Sequence, residues 1–138
     1  MRREYKHGSK YALWRWKDIY WNNQLYLRRL ILFQCPLFSI MLHWFHSPDM
    51  QRHLHDHPVS MLSVILKGWY LEERESGQHI RDFLNWIPST TAHRIASVSF
   101  GTITLCFAGR RKREWGFHTE DGWIHWKDYH TKYEGSTS

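Results

Sequence analysis

The sequence predicts a single all-β domain, a barrel or sandwich of short strands, with a basic and aromatic-rich N-terminal extension. Three observations carry this reading. The 138 residues are the size of one domain. Segments rich in branched and aromatic side chains are cut at short intervals by Gly, Pro, Asn and Asp turns. A helical period shows in only one place. The extension covers residues 1–24 and is expected to pack on the domain. Its helix candidate lies near residues 11–21, where Leu13, Trp16 and Tyr20 would share a face. Residues 25–134 form the barrel. Tyr26–Phe33 reads as a strand ending at Cys35-Pro36, and Leu37–His46 as its partner, ending at Ser47-Pro48-Asp49. His53–Leu66 is a long extended segment closed by Lys67-Gly68, after which Trp69–Glu73 runs to the Ser76-Gly77 turn. Ile80–Ile87 stops at Pro88, and Thr91–Val98, Thr102–Ala108 and Glu114–His118 follow. Glu120-Asp121-Gly122 turns into a last extended segment, Trp123–Tyr129, and residues 135–138 are expected to fray.

Composition removes several function classes. Hydrophobic residues make up 42% and charged residues 23%, the balance of a folded globular chain. No apolar run approaches the roughly 18 residues that span a bilayer, so no membrane partner is expected. The basic start leads into no apolar stretch, so no signal peptide is read. Two cysteines, Cys35 and Cys106, make no disulfide framework, and a cytoplasmic setting is expected. The net charge of +6 falls within residues 1–29, which hold eight basic and two acidic side chains. Interleaved Tyr and Trp could stack on bases there. No nucleic-acid-binding motif accompanies the charge, so that reading ranks last. The run Arg110-Arg111-Lys112-Arg113 reads as a solubilising turn.

The histidines are the informative feature. In Arg52-His53-Leu54-His55-Asp56-His57-Pro58, alternate side chains of an extended chain share a face, so His53, His55 and His57 point one way. Two imidazoles spaced in this way can meet one metal ion, either His53 with His55 or His55 with His57. A third ligand must come from another strand, and His93 follows the Pro88 turn. Asp56 points to the opposite face, where it could order a neighbouring strand.

These residues resemble the cupin superfamily, whose first motif is a histidine pair, three or four residues, a glutamate, six residues and a glycine. His55 and His57 match the pair and Gly68 the glycine, while Met61 stands at the glutamate position. The second motif, a proline followed five residues later by histidine, matches Pro88 and His93, with Thr90 in place of its glycine. The stretches around Leu42-His43, His55–Pro58, Ser63–Tyr70 and Arg113–Phe117 look like small uncharacterised cupins of bacteria and their phages. The resemblance implies a jelly-roll β-barrel and a divalent metal on His55, His57 and His93. With no carboxylate, the site resembles the three-histidine iron centre of thiol-dioxygenase cupins. Fe is the expected metal, with Zn, Ni, Mn and Cu also compatible.

Around such a centre, His43, Tyr70 and Glu72 are the candidates for moving a proton. Arg28 and Arg94 are candidates for holding a carboxylate or phosphate bidentately, although Arg94 has the opposite strand parity to His93. Trp115 is a candidate wall for a planar ligand. The leading function is a metal-dependent dioxygenase or hydroxylase acting on a small polar or anionic molecule. A non-catalytic module that captures a nucleotide-like or sugar-phosphate ligand is the second reading, and a sugar isomerase or epimerase the third. Barrel edges and surplus aromatics favour a homodimer.

Overall fold

The computed structural model describes residues 11–21, 23–49 and 51–133. The basic residues 1–10 and the tail 135–138 therefore lie outside the described residues. Twelve strands and one helix follow in order: β1 (Ala12–Trp21), β2 (Gln24–Gln34), β3 (Phe38–Phe45), β4 (Leu54–His55), β5 (Met61–Lys67), β6 (Tyr70–Arg74), β7 (Gly77–Arg81), β8 (Leu84–Ile87), β9 (His93–Val98), β10 (Ile103–Gly109), β11 (Gly116–Thr119), β12 (Gly122–His125) and α1 (Trp126–Tyr133). They build two six-stranded antiparallel sheets, ordered β1-β2-β3-β10-β5-β8 and β12-β11-β4-β9-β6-β7. This is a jelly roll, as the sequence predicts.

Strand alternation sets the interior. Met41, His43 and Phe45 turn inward from β3, and Thr104, Cys106 and Ala108 from β10, while their neighbours face outward. Two apolar clusters result. Leu27, Phe45, Ile65, Tyr70 and Ile95 form one; Ile31, Met41, Cys106 and Ala108 form the other. Each fully buried large side chain contributes about 1.5–3 kcal/mol. Gly68 closes the turn after β5 at φ +83°, and a Cβ there would press on Thr102 Oγ1 and Ser99 Oγ. The turn therefore requires glycine.

Three sequence expectations are corrected. Residues 12–21 are not helical; they pair along β2 in a sheet, with a bulge between Ile19 and Tyr20 and Trp14 at φ 53°. A free helix of about ten residues is marginal in water, whereas a strand gains a full hydrogen-bonded ladder from β2. The extended segment from His53 breaks after His55, because Pro58 has no N–H for a ladder. The last segment leaves the sheet at His125 and turns helical. His125 Nδ1 accepts the Lys127 N–H at 3.2 Å, capping α1, and Tyr129 stacks on Phe117 with centroids 3.8 Å apart. Among the described residues no helix is long and apolar enough to cross a membrane.

Candidate metal centre

The two sheets enclose a cavity of about 310 Å³. His55, His57 and His93 meet on its wall, each offering a ring nitrogen, and these atoms lie within 4.8 Å of one another. The backbone fixes each one. His55 on β4 is the register partner of His93 on β9 and of Phe117 on β11. The His57 N–H donates to the Ser89 carbonyl at 3.2 Å, tying the residue to the turn before β9. Arg113 donates to the carbonyls of His57 and Ser89 at 3.3 and 3.1 Å, and pairs with Asp56 at 3.0 Å. It thus clamps the histidine segment, more than the solubilising role expected of its basic run.

Asp56 is almost fully buried between the histidines in sequence and faces away from them. It accepts the Gly116 N–H at 2.8 Å and the Trp123 indole N–H at 3.0 Å, and lies 3.1 Å from His118 Nε2. Burial pushes its carboxyl up, but these donors and Arg113 outweigh it and hold the group below its usual range. One carboxylate thereby locks β4 to β11 and β12.

Glu72 lies behind His93, outside the cavity lining. Its Oε2 is 2.6 Å from His93 Nδ1 and accepts from Asn85 at 3.1 Å, while Oε1 accepts from Arg74 at 3.0 Å and Arg81 at 2.8 Å. Burial raises the Glu72 pKa, yet the bonds from His93, Asn85 and Arg81 together bring it down to about 2. An ionised Glu72 can only accept, so the His93 proton sits on Nδ1 and its Nε2 lone pair is left for a metal.

Burial holds His55 and His57 neutral at physiological pH. Burial lowers His55 to about 4, against the partly opposing pull of Asp49, and burial lowers His57 well below its usual value. The Nδ1 atoms of both are buried without a hydrogen-bond partner. Three converging imidazoles, two with an unspent buried nitrogen, are the donor set of a divalent metal. The residues fit the ion. Met61 lines the same cavity and packs against the Ile31 cluster, so a thioether stands where a cupin carboxylate is expected.

The remaining nominated residues divide. His43, Tyr70 and Trp115 line the cavity with the three histidines. His43 Nε2 accepts the Arg29 Nε–H at 3.0 Å, and burial with the adjacent guanidinium holds the imidazole neutral. The Tyr70 hydroxyl accepts from Asn85 at 2.8 Å and is pushed up to about 12, chiefly by burial, so it stays protonated. Trp115 packs edge-on to His55 at 5.9 Å and stacks on Trp126 of α1. Arg28 and Arg94 do not reach the cavity. Arg28 is exposed and pairs with Asp18 at 3.0 Å; Arg94 pairs with Glu73 at 2.8 Å and donates to the Gln51 carbonyl.

The cavity cation is Arg29, one residue from the nominated Arg28. The signal was present in the strand: Leu27 and Ile31 are core residues, and alternation puts Arg29 on their face. Tyr26, Asp49 and Gln51 also line the cavity. Asp49 accepts the Ile95 N–H at 2.6 Å and the Tyr26 hydroxyl bonds to it, which with burial holds that phenol well above its usual value.

No protein-family profile matches this sequence, and no curated protein matches it. Solved structures do match. A cupin-2 domain from Rhodospirillum rubrum aligns at TM-score 0.60 and 15% identity, over 88% of this chain and 84% of that one. The fold is that of the cupins. A Tyr-to-Phe variant of Streptomyces PAC13 with uridine aligns to this chain at TM-score 0.53 and 12% identity, covering 85% of this chain and 88% of the other. The FeII form of HppE aligns at TM-score 0.53 and 10% identity, over 69% of this chain and 55% of the HppE chain. At these identities the likeness is one of fold. The histidine cluster fits a cupin metal site on its own geometry.

Proposed function

We propose that this cupin holds Fe(II) on His55, His57 and His93 and is a dioxygenase or hydroxylase of a small polar or anionic molecule. The observation that carries the reading is the convergence of three imidazoles, with no carboxylate among them, on one apolar-walled cavity that also contains Arg29. A divalent ion on three neutral ligands keeps its full charge, attracts anions and, as iron, supplies redox chemistry with O2.

The chain's own groups have separable parts. Arg29 supplies positive charge for a carboxylate or phosphate and holds His43 by its Nε–H. With Nε2 so occupied, His43 carries its proton on Nδ1. The Tyr70 hydroxyl, protonated at neutral pH, can donate a hydrogen bond into the cavity. Phe45, Ile95, Trp115 and Phe117 exclude water and strengthen these interactions. Glu72 keeps His93 in the ligating tautomer. HppE in its FeII form, sharing this fold, supports iron as the metal to try first.

A second reading has its own support. Cationic Arg29 and aromatic walls at Trp21 and Trp115 also suit capture of a nucleotide-like ligand, and the PAC13 structure with uridine shares the fold. Oxygen-electrode assays on Fe(II)-loaded, tag-free protein against small carboxylates, phosphates and nucleotides separate the two. Stoichiometric O2 consumption that His55→Ala abolishes is expected. A protein that retains only Zn and consumes no O2, yet carries an intact small molecule by native mass spectrometry, is the capture module.

A further inference from the structure

Helix α1 stands behind the aromatic wall of the cavity, where the edge strand β1 of one sheet comes near the edge strand β12 of the other. Trp126, Tyr129, His130 and Tyr133 fall at the i, i+3, i+4 and i+7 positions of one helix face, and the other four residues are exposed. That face meets the wall and not the space inside it. Trp126 stacks on Trp115 at 5.8 Å and 9°, and its N–H donates to the Trp115 carbonyl at 3.3 Å. Tyr129 stacks on Phe117, and the His130 ring meets Trp21 edge-on at 5.7 Å. Trp21, Trp115 and Phe117 all line the cavity, whereas no residue of α1 does.

Trp21 ends β1 and Trp115 directly precedes β11, so two cavity indoles carried by different sheets are tied to a single helix. Their partners Trp126 and His130 are four residues apart, about 6 Å or one turn along the helix axis. An eight-residue helix is marginal on its own, so α1 keeps its shape only while it lies on the wall. The helix and the placing of the two indoles therefore depend on each other. Indoles attract a flat ring more than a puckered one of the same size, because stacking adds to the burial of area. The cavity, about 310 Å³, is at the small end of ligand pockets and suits a single ring system.

We propose that α1 is the specificity element of this cavity: Trp126 and His130 hold Trp115 and Trp21 where they accept a flat aromatic or heteroaromatic acid whose carboxylate meets Arg29. Both are positioning residues, since they act through the indoles. The ligand class deepens the reading above and rests on it for the contact with Arg29.

Calorimetric titration of the full chain with benzoate and with cyclohexanecarboxylate, each with and without Zn(II), tests this. The two acids share the carboxylate and differ in planarity. Benzoate should bind wild type about tenfold more tightly. Trp126→Ala and His130→Ala should each bring that ratio toward one, Trp126→Phe should restore it, and Thr131→Ala on the outward face should leave it unchanged. The pair of alanine variants keeps the test valid if one fails to fold by circular dichroism. Arg29→Met should weaken both acids alike and keep the ratio. Unchanged affinities in Arg29→Met overturn the carboxylate contact alone, while the ratio still decides the part of α1. A wild-type ratio near one, a ratio that survives both alanine variants, or failure of both acids to bind overturns the proposal.

Discussion

Glu72 Oε2 lies 2.6 Å from His93 Nδ1, and the same carboxylate is held by Arg74, Arg81 and Asn85. A carboxylate missing from the cupin motif at Met61 is thus present on β6, one shell further out. It orients a ligand in place of being one. Glu72→Gln keeps the shape but removes the charge that fixes the tautomer. Metal affinity should fall about 10–100-fold. Stability should fall by about 3–5 kcal/mol, since Arg74 and Arg81 lose a buried partner. Calorimetric metal titration and urea unfolding read the two effects separately, and unchanged affinity would contradict the orienting role.

Acid should destabilise the metal-free protein earlier than its carboxylates alone would. His43, His55 and His57 are held below the ordinary imidazole value by burial, so the unfolded chain takes up protons that the folded chain refuses. Stability is full above about pH 6.5 and is lost as pH falls toward the folded values, about 4 for His55. Each histidine contributes a slope of about 1.4 kcal/mol per pH unit in that window. Glu72 adds a further loss below its usual 4.5, as pH falls toward about 2. Urea midpoints from pH 8 to pH 5 measure this. His43→Gln should flatten the slope by about a third, and a flat wild-type profile would refute the neutral cluster.

Arg29 is expected to govern anion affinity. Arg29→Lys keeps a positive charge but loses the planar fork and the bond to His43. Binding of a carboxylate or phosphate ligand should weaken about tenfold in Arg29→Lys and further in Arg29→Met. Arg28→Met, on the outer surface, should bind like wild type. Equal losses at both positions would remove Arg29 from its assigned part.

Gly68→Ala tests the turn that joins β5 to β6. The positive φ costs about 1–3 kcal/mol for a residue with a Cβ. The added methyl also meets Thr102 Oγ1, which bonds the Trp69 and Ser99 carbonyls. Denaturant unfolding should show at least that loss, whereas Gly77→Ala, whose Cβ meets nothing within 4 Å, should pay for the backbone alone.

How far the sequence revealed this arrangement depends on whether the deciding interaction is local. The all-β barrel or sandwich and the parity of Asp56 were legible, because turn residues and two-residue alternation are properties of the strand itself, whereas the jelly roll was implied by the family resemblance. The meeting of His55, His57 and His93 was legible through motif spacing. Residues 11–21 were not, since their local pattern admits a helix and only pairing with β2 decides for a strand. Helix α1 was missed because its anchor, Tyr129 stacked on Phe117, is a tertiary contact. Arg29 was missed in favour of Arg28 because register was not applied to β2, where one residue exchanges the cavity for the solvent.

The most direct measurement is the metal content of tag-free protein equilibrated with Fe(II), or with Zn(II) as a redox-silent substitute, by plasma mass spectrometry after dialysis. About one ion per chain is expected for wild type, and close to none for His55→Ala and His93→Ala, each still folded by circular dichroism. A folded wild-type protein that retains no divalent ion, or variants that retain as much as wild type, would contradict the three-histidine centre.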